Sequence, residues 1–223
     1  MFKSINLKDK VVLITGGSKG IGKAIAKSLV NENCKVIISS QNFPLLKSTA
    51  KELNVDLFKA DLRNLKEIDE LSKYVINKYK NIDVLVNNAG VLHVNSLEKA
   101  KDDEINETID VNIKSIFFLT KRLIPYVNKG GTIVNISSGL GKTGIGDYSI
   151  YCASKFAVVG LTEALASELN DIDVVCVCPK ATNTDMIKKV DMGGESIDQP
   201  EKVAERVLEA IKGKFRTGSA VDV

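Results

Sequence analysis

The chain of 223 residues carries 31 basic and 28 acidic side chains, a net charge of +3, and is 44% hydrophobic and 26% charged. That is ordinary globular composition, with too little positive charge to call for nucleic acid or an anionic membrane surface. No apolar run approaches the ~20 residues of a membrane-spanning helix and residues 1–6 do not lead into a signal-peptide core, so the expected location is the cytoplasm.

Short β-branched runs at 11–15, 35–39, 55–59, 82–87, 131–137 and 173–178 read as buried strands, since near-continuous apolar character suits parallel strands covered on both faces. Between them, 22–33, 44–53, 65–80, 103–127 and 148–170 carry apolar residues at helical spacing. Asn64-Leu65-Lys66-Glu67 has the form of a capping box. A helix over 200–212 and a strand over 217–223 complete the chain. This alternation predicts right-handed crossovers and an α/β fold: one Rossmann-like doubly wound parallel sheet with helices on both faces, a single domain over 1–223.

The first strand runs into Thr15-Gly16-Gly17-Ser18-Lys19-Gly20-Ile21-Gly22 and at once into a helix. Glycines permit positive φ and close backbone approach, and the helix start offers free N–H groups to a pyrophosphate. The spacing is G-x-x-x-G-x-G, so it meets the dinucleotide fingerprint in mechanism and not in letter. A structural tight turn is the plain alternative. An NAD site wants an acid about 20 residues further on to hold the ribose hydroxyls. Ser39-Ser40-Gln41-Asn42 has none, and Lys19 can meet a 2′-phosphate by a charge-assisted hydrogen bond. The expected cofactor is NADP(H), with NAD(H) as the rival.

Within 103–127, Ile105, Ile109, Ile116, Leu119, Leu123 and Val127 form an apolar stripe, and Asn112 falls on it. Its amide needs partners there, so Asn112 is either structural glue or part of a site, and spacing alone favours glue. Within 148–170, Tyr151 and Lys155 stand one turn apart on a face continued by Val158, Thr162, Leu165 and Leu169. An ammonium beside a phenol favours the phenolate and makes the tyrosine a usable acid or base. Ala153, Ala157, Gly160, Ala164 and Ser167 line another face, small enough for a neighbouring helix or a second subunit to approach. Four cysteines (Cys34, Cys152, Cys176, Cys178) show no Cys-x-x-Cys spacing and His93 is the single histidine, without obvious partners. No metal site, disulfide framework or Ser-His-Asp centre is expected; Cys176 and Cys178 read as reduced thiols on one strand face.

Taken together, these motifs resemble the short-chain dehydrogenase/reductase family over essentially the whole length. The resemblance implies that Gly16, Ser18, Lys19, Gly20, Ile21 and Gly22 hold the cofactor phosphates, with Ser40, Gln41, Asp61 and Leu62 at its adenosine end. Asn87-Asn88-Ala89-Gly90 is similar to the family's motif after the fourth strand, where Asn88, Ala89 and Gly90 line the cofactor. Pro179 and Thr184 fall where relatives touch the nicotinamide. Ser138, 13 residues before Tyr151, matches the family's catalytic serine, and Asn112, Tyr151 and Lys155 complete the implied set. The resemblance reverses the reading of Asn112 from spacing. It implies a proton donated or removed by Tyr151, a second hydrogen bond from Ser138, a tyrosine tuned and a ribose bound by Lys155, and a water held by the Asn112 carbonyl.

The implied activity is hydride transfer between NADP(H) and a small carbonyl or alcohol substrate (ketone, aldehyde or 3-oxoacyl type), without nucleic acid or membrane partners. A non-catalytic cofactor-sensing regulator or scaffold is the alternative, against which the complete catalytic set argues. Departures concern substrate: Lys180 stands where relatives usually have glycine after Pro179, and the loop near 182–199, with Gly193-Gly194, is shorter than the usual substrate lid. The chain ends at Val221-Asp222-Val223 without the family's frequent glycines. A homodimer or homotetramer through 103–127 and 148–170 is expected.

Overall fold

In the computed structural model, which describes residues 5–187 and 197–223, strands and helices alternate. They are β1 (Val11–Thr15), α1 (Gly20–Asn31), β2 (Lys35–Ser40), α2 (Phe43–Leu53), β3 (Asp56–Lys59), α3 (Leu65–Tyr79) and β4 (Ile82–Asn87). Then come α4 (Asp102–Ile109), α5 (Ser115–Leu123), β5 (Val127–Ile136), α6 (Ser149–Glu168), β6 (Ile172–Cys178), α7 (Pro200–Ile211) and β7 (Ala220–Asp222). The strands form one sheet in the order β3-β2-β1-β4-β5-β6-β7, parallel at every pairing.

Alternate residues of each strand feed opposite layers, as a pleated strand covered on both faces requires. Val12 and Ile14 of β1 pack with Val36, Val86, Val134 and Val175 under α1, α2 and α7, whose Ile25, Leu46 and Val207 close that layer. Leu13 turns the other way and joins Ile37, Leu85, Ile133 and Val174 under α3, α5 and α6, through Leu71, Leu119 and Leu165. At about 1.5–3 kcal/mol for each fully buried aliphatic side chain, these two layers supply the main drive to fold. The chain reverses its winding between β1 and β4, which are neighbours. The carboxyl ends of these two strands therefore flank the crevice where open α/β sheets bind ligands.

Local chemistry sets the element ends. Asn42 Oδ1 accepts from the Leu45 N–H at 3.1 Å to cap α2, and Asn54 closes it in the left-handed region at φ 52°. The expected capping box at Asn64 is only half formed. Asn64 Oδ1 accepts from the Lys66 N–H at 3.0 Å, but the Glu67 carboxylate takes the Asp61 N–H at 2.8 Å in place of that of Asn64. The helix expected over 103–127 is interrupted. A π-helical turn occupies Asp110–Lys114 between α4 and α5, and Pro125 lies in a 3₁₀ turn over Ile124–Tyr126 that ends the helical run. Val127 thus begins β5 and does not end a helix. The last strand is shorter than expected because Thr217 is used otherwise, its hydroxyl accepting from the Val174 N–H at 3.0 Å.

α6 also departs from expectation: 20 residues with mean hydropathy 1.2 are, by length and composition, enough to cross a membrane. Leu165 packs into one layer and Val158 against Ile116, while Phe156 stays exposed. All four cysteines are unpaired thiols, Cys176 and Cys178 fully buried with sulfurs 3.9 Å apart on β6.

Candidate active site

The turn after β1 is shaped by close approach. Gly16 sits at φ +65°, and a Cβ on Gly22 would stand 2.3 Å from the Gly16 carbonyl oxygen, so no larger residue fits between turn and helix. Thr15 fastens this turn to the end of β4: its Oγ1 accepts from the N–H groups of Asn88 at 3.0 Å and Ala89 at 3.1 Å. Asn88 Nδ2 donates back to the carbonyls of Thr15 at 2.8 Å and Gly16 at 3.2 Å. The start of α1 has no side-chain cap and no acid in its first turn. Its N–H groups and positive dipole end are left for an anion, and this cradle fits a dinucleotide pyrophosphate.

The ends of β2 and β3 lie beside it. Ser18 Oγ donates to Ser40 Oγ at 3.0 Å. Asp61 receives Arg63 in a fork, with Nε at 3.0 Å and Nη2 at 2.6 Å, and this guanidinium holds its carboxyl below the usual range. Arg63 also reaches Glu107 at 3.0 Å and Gln41 Oε1 at 3.4 Å. Leu62 is half-buried next to Asp61. Lys19 is paired with Asp185 at 3.0 Å, so it would have to exchange partners to meet a phosphate. Thr184 faces the glycine turn, its Cγ2 3.1 Å from where a Gly20 Cβ would be. Ile21 packs under the loop against the core layer.

At the carboxyl end of β5, Ser138 Oγ caps a 3₁₀ turn by accepting from the Leu140 N–H at 3.1 Å and lies close enough to Tyr151 to pull the phenol's pKa down. Its neighbour Ser137 points elsewhere, donating to the Lys155 carbonyl at 2.8 Å. Burial pushes the Tyr151 phenol up to about 12, against the opposing pull of Ser138. Burial likewise lowers Lys155 to about 8. Its Nζ donates to the Ile136 carbonyl at 3.0 Å and lies 5.6 Å from the centre of the Tyr151 ring. The expectation that Lys155 favours the phenolate is therefore not met here. The ammonium faces the ring and a carbonyl, and desolvation of the phenol prevails.

Asn112 is fully buried in the middle of the π-helical turn. Its Oδ1 accepts from the Val91 N–H at 2.8 Å, and its Nδ2 donates to the Val91 carbonyl at 2.9 Å and Ser154 Oγ at 3.0 Å. The side chain is thus the glue that spacing suggested. It is also close to Lys155: a Cβ on Gly90 would lie 3.4 Å from Asn112 Oδ1 and 3.5 Å from Lys155 Nζ. π-Helical turns recur at functional sites because they displace a carbonyl from the regular ladder.

His93 has the partners the sequence did not reveal, Glu107 at 2.9 Å and Glu104 at 3.8 Å. Pro179 closes the far wall, its carbonyl accepting from the Gly139 N–H at 2.8 Å. Sequence reasoning missed Arg63 and Ser154 as supports of Asp61 and Asn112. A guanidinium two residues after Asp61 was the only available signal. Among the described residues no cluster of His, Cys, Asp and Glu could hold a metal ion. Residues 188–196, which include half of the expected substrate loop and Gly193-Gly194, lie outside the described residues.

A family model described as short chain dehydrogenase matches residues 10–193. The 3-oxoacyl-(acyl-carrier-protein) reductase of Thermotoga maritima is 37% identical over 221 residues, 95% of this chain and 86% of the relative. Human estradiol 17-beta-dehydrogenase 11 is 31% identical over 218 residues, 92% of this chain and 73% of the relative. Among solved structures, a short chain dehydrogenase from Burkholderia cenocepacia in complex with NADP superimposes with a TM-score of 0.92 at 27% identity, covering 98% of each chain. A 3-ketoacyl-(acyl-carrier-protein) reductase from Brucella melitensis complexed with NADH gives 0.91 at 27% identity, covering 97% of each.

Proposed function

The chain belongs to the short-chain dehydrogenase family and is an oxidoreductase of that kind, and we propose that it transfers hydride between NADP(H) and a carbonyl or alcohol substrate with Tyr151 as general acid and base. The observation that carries this reading is the meeting of Ser138, Tyr151 and Lys155 at the carboxyl ends of β5 and the start of α6, beside the glycine turn. The cofactor supplies the hydride. Gly16, Ser18, Gly20, Ile21 and Gly22 would cradle its phosphates, Asp61 and Leu62 its adenine, Asn88, Ala89 and Gly90 its middle, and Pro179 and Thr184 its nicotinamide. Lys19 would release Asp185 to take a 2′-phosphate, while Ser40 and Gln41, both neutral, leave room for it. NADP and NADPH accompany similar structures, and so does NADH, so the preference rests on Lys19 and the missing acid.

A phenol held near 12 is protonated at neutral pH and ready to donate. Ser138 steadies the substrate oxygen while Tyr151 delivers its proton. Lys155, its ammonium 5.6 Å from the ring centre, would bind the nicotinamide ribose hydroxyls. Asn112, through its carbonyl in the π-helical turn, would hold the water that returns a proton from solvent. The exposed faces of α5 and α6 carry Phe117 and Phe156, and Ala153, Gly160 and Ala164 are exposed beside them. These surfaces support assembly as a homodimer or homotetramer, and the predicted location is the cytoplasm.

Tyr151→Phe is expected to abolish reduction of a ketone and aldehyde panel while leaving the NADPH dissociation constant unchanged. A fully active phenylalanine variant overturns the reading. Comparing NADPH and NADH dissociation constants in the wild type and Lys19→Ala tests the cofactor separately.

A further inference from the structure

Lys180 follows Pro179 on the rim of the site and is exposed. The β5–β6 ladder continues past the sheet through Ser137 N–H to the Val177 carbonyl at 2.8 Å and Gly139 N–H to the Pro179 carbonyl at 2.8 Å. Ser138, the partner of Tyr151, therefore lies between two rungs, and Lys180 takes the next position beyond them. Its backbone is pinned. Thr182 Oγ1 donates to the Lys180 carbonyl at 3.0 Å, and the next residues are tied to Asp198 through Asp198 N–H to the Ala181 carbonyl and Asn183 N–H to the Asp198 carbonyl, both at 2.8 Å.

The other lysines near the site are committed: Lys19 to Asp185 at 3.0 Å, Lys142 to Asp222 at 2.8 Å and Lys155 to the Ile136 carbonyl at 3.0 Å. Among the described residues, the Lys180 ammonium has no acceptor or acid. A cation fixed at its backbone, unpaired and one rung from the reacting groups suits an anion on the ligand. Apolar side chains are exposed on two segments beyond the strand ends, among polar ones. The segment after β4 is joined to the loop before Tyr151 by the Asn95 N–H to the Asp147 carbonyl at 2.9 Å, and together they expose Val94, Leu97 and Ile145.

On the hydride-transfer reading, we propose that Lys180 is a substrate-selecting cation and that the substrate is an oxo acid, its carboxylate on Lys180 and its remaining chain apolar against Val94, Leu97 and Ile145. Lysine pairs with a carboxylate as a compact charge on a flexible stem, so it tolerates several spacings between carboxylate and carbonyl. The probes are accordingly 2-oxo-, 4-oxo- and 5-oxooctanoate, each against its methyl ester.

With NADPH, kcat/KM for at least one acid should exceed that for its ester by about tenfold, and added salt should shrink the ratio. In Lys180→Gln the acid-to-ester ratio should fall to about one, and in Lys180→Arg it should persist, which also guards against a glutamine variant that folds poorly. Calorimetric titration of the same pairs into NADPH-loaded Tyr151→Phe reads the preference without turnover. No acid preference in either measurement, or a preference that survives Lys180→Gln, overturns the proposal. Turnover by Tyr151→Phe refutes the catalytic role of the tyrosine instead, and the binding ratios then still decide the role of Lys180.

Discussion

Replacing Lys155 with methionine should make the folded protein more stable while destroying its activity. The ammonium is buried and its pKa is lowered from 10.5 to about 8, chiefly by desolvation. At 1.4 kcal/mol per pKa unit, that displacement means the charged form destabilises the fold by about 3 kcal/mol. Methionine fills similar space without the charge but leaves the Ile136 carbonyl, now bonded at 3.0 Å, without its donor, a loss of about 1 kcal/mol. The net gain at pH 7 is about 2 kcal/mol, or roughly 4–8 °C in Tm for a domain of this size. Below pH 8 folded and unfolded chains both carry the ammonium, and the folded state bears the whole penalty. Between pH 8 and 10.5 the folded lysine loses its proton first, so wild-type stability rises, and above 10.5 no penalty remains. Urea unfolding of both proteins from pH 7 to 10.5 should therefore show the methionine variant ahead by about 2 kcal/mol at pH 7 and behind by about 1 kcal/mol at the alkaline end. A variant less stable than wild type at pH 7, or a difference that does not change with pH, refutes the reasoning.

The same lysine should govern the alkaline limb of the reduction. Tyr151 stays protonated to about 12, so kcat/KM should fall above about pH 8 as Lys155 loses its charge. In any Lys155→Arg protein that retains turnover, this limb should move upward, because guanidinium does not titrate there. Gly22→Ala would place a methyl 2.3 Å from the Gly16 carbonyl oxygen and 2.5 Å from Asn88 Nδ2. Thermal melts should show a loss of about 1–3 kcal/mol, and cofactor titrations at least a tenfold weakening, since the cradle itself must shift. Asn112→Asp keeps the acceptor for the Val91 N–H but sets an acceptor against the Val91 carbonyl. Equilibrium unfolding should register a loss of about 1–3 kcal/mol or more, whereas an unchanged midpoint would mean the amide is not the glue described.

The strands, their parallel packing and the glycine turn were legible because each is written in adjacent residues: apolar runs such as those at β1 and β6, and glycines where a backbone must approach closely. The order of Asn112, Ser138, Tyr151 and Lys155 along the chain was legible for the same reason, and with it the family. The helix over 103–127 was misread where local periodicity continued through Asn112, although the backbone widens there into a π-helical turn tied to Val91 and Ser154. Partners distant in sequence were out of reach. Lys19 meets Asp185, 166 positions away, and Arg63 meets Glu107, 44 away. The raised pKa of Tyr151 and the lowered pKa of Lys155 were not legible from their four-residue spacing, which determines that they share a helix face but not how much water reaches them. Residue order alone determined the fold and the family, because local propensity and periodicity act between neighbours. Tertiary structure decided the electrostatics of the site, because burial and ion pairing depend on which remote elements close over each group.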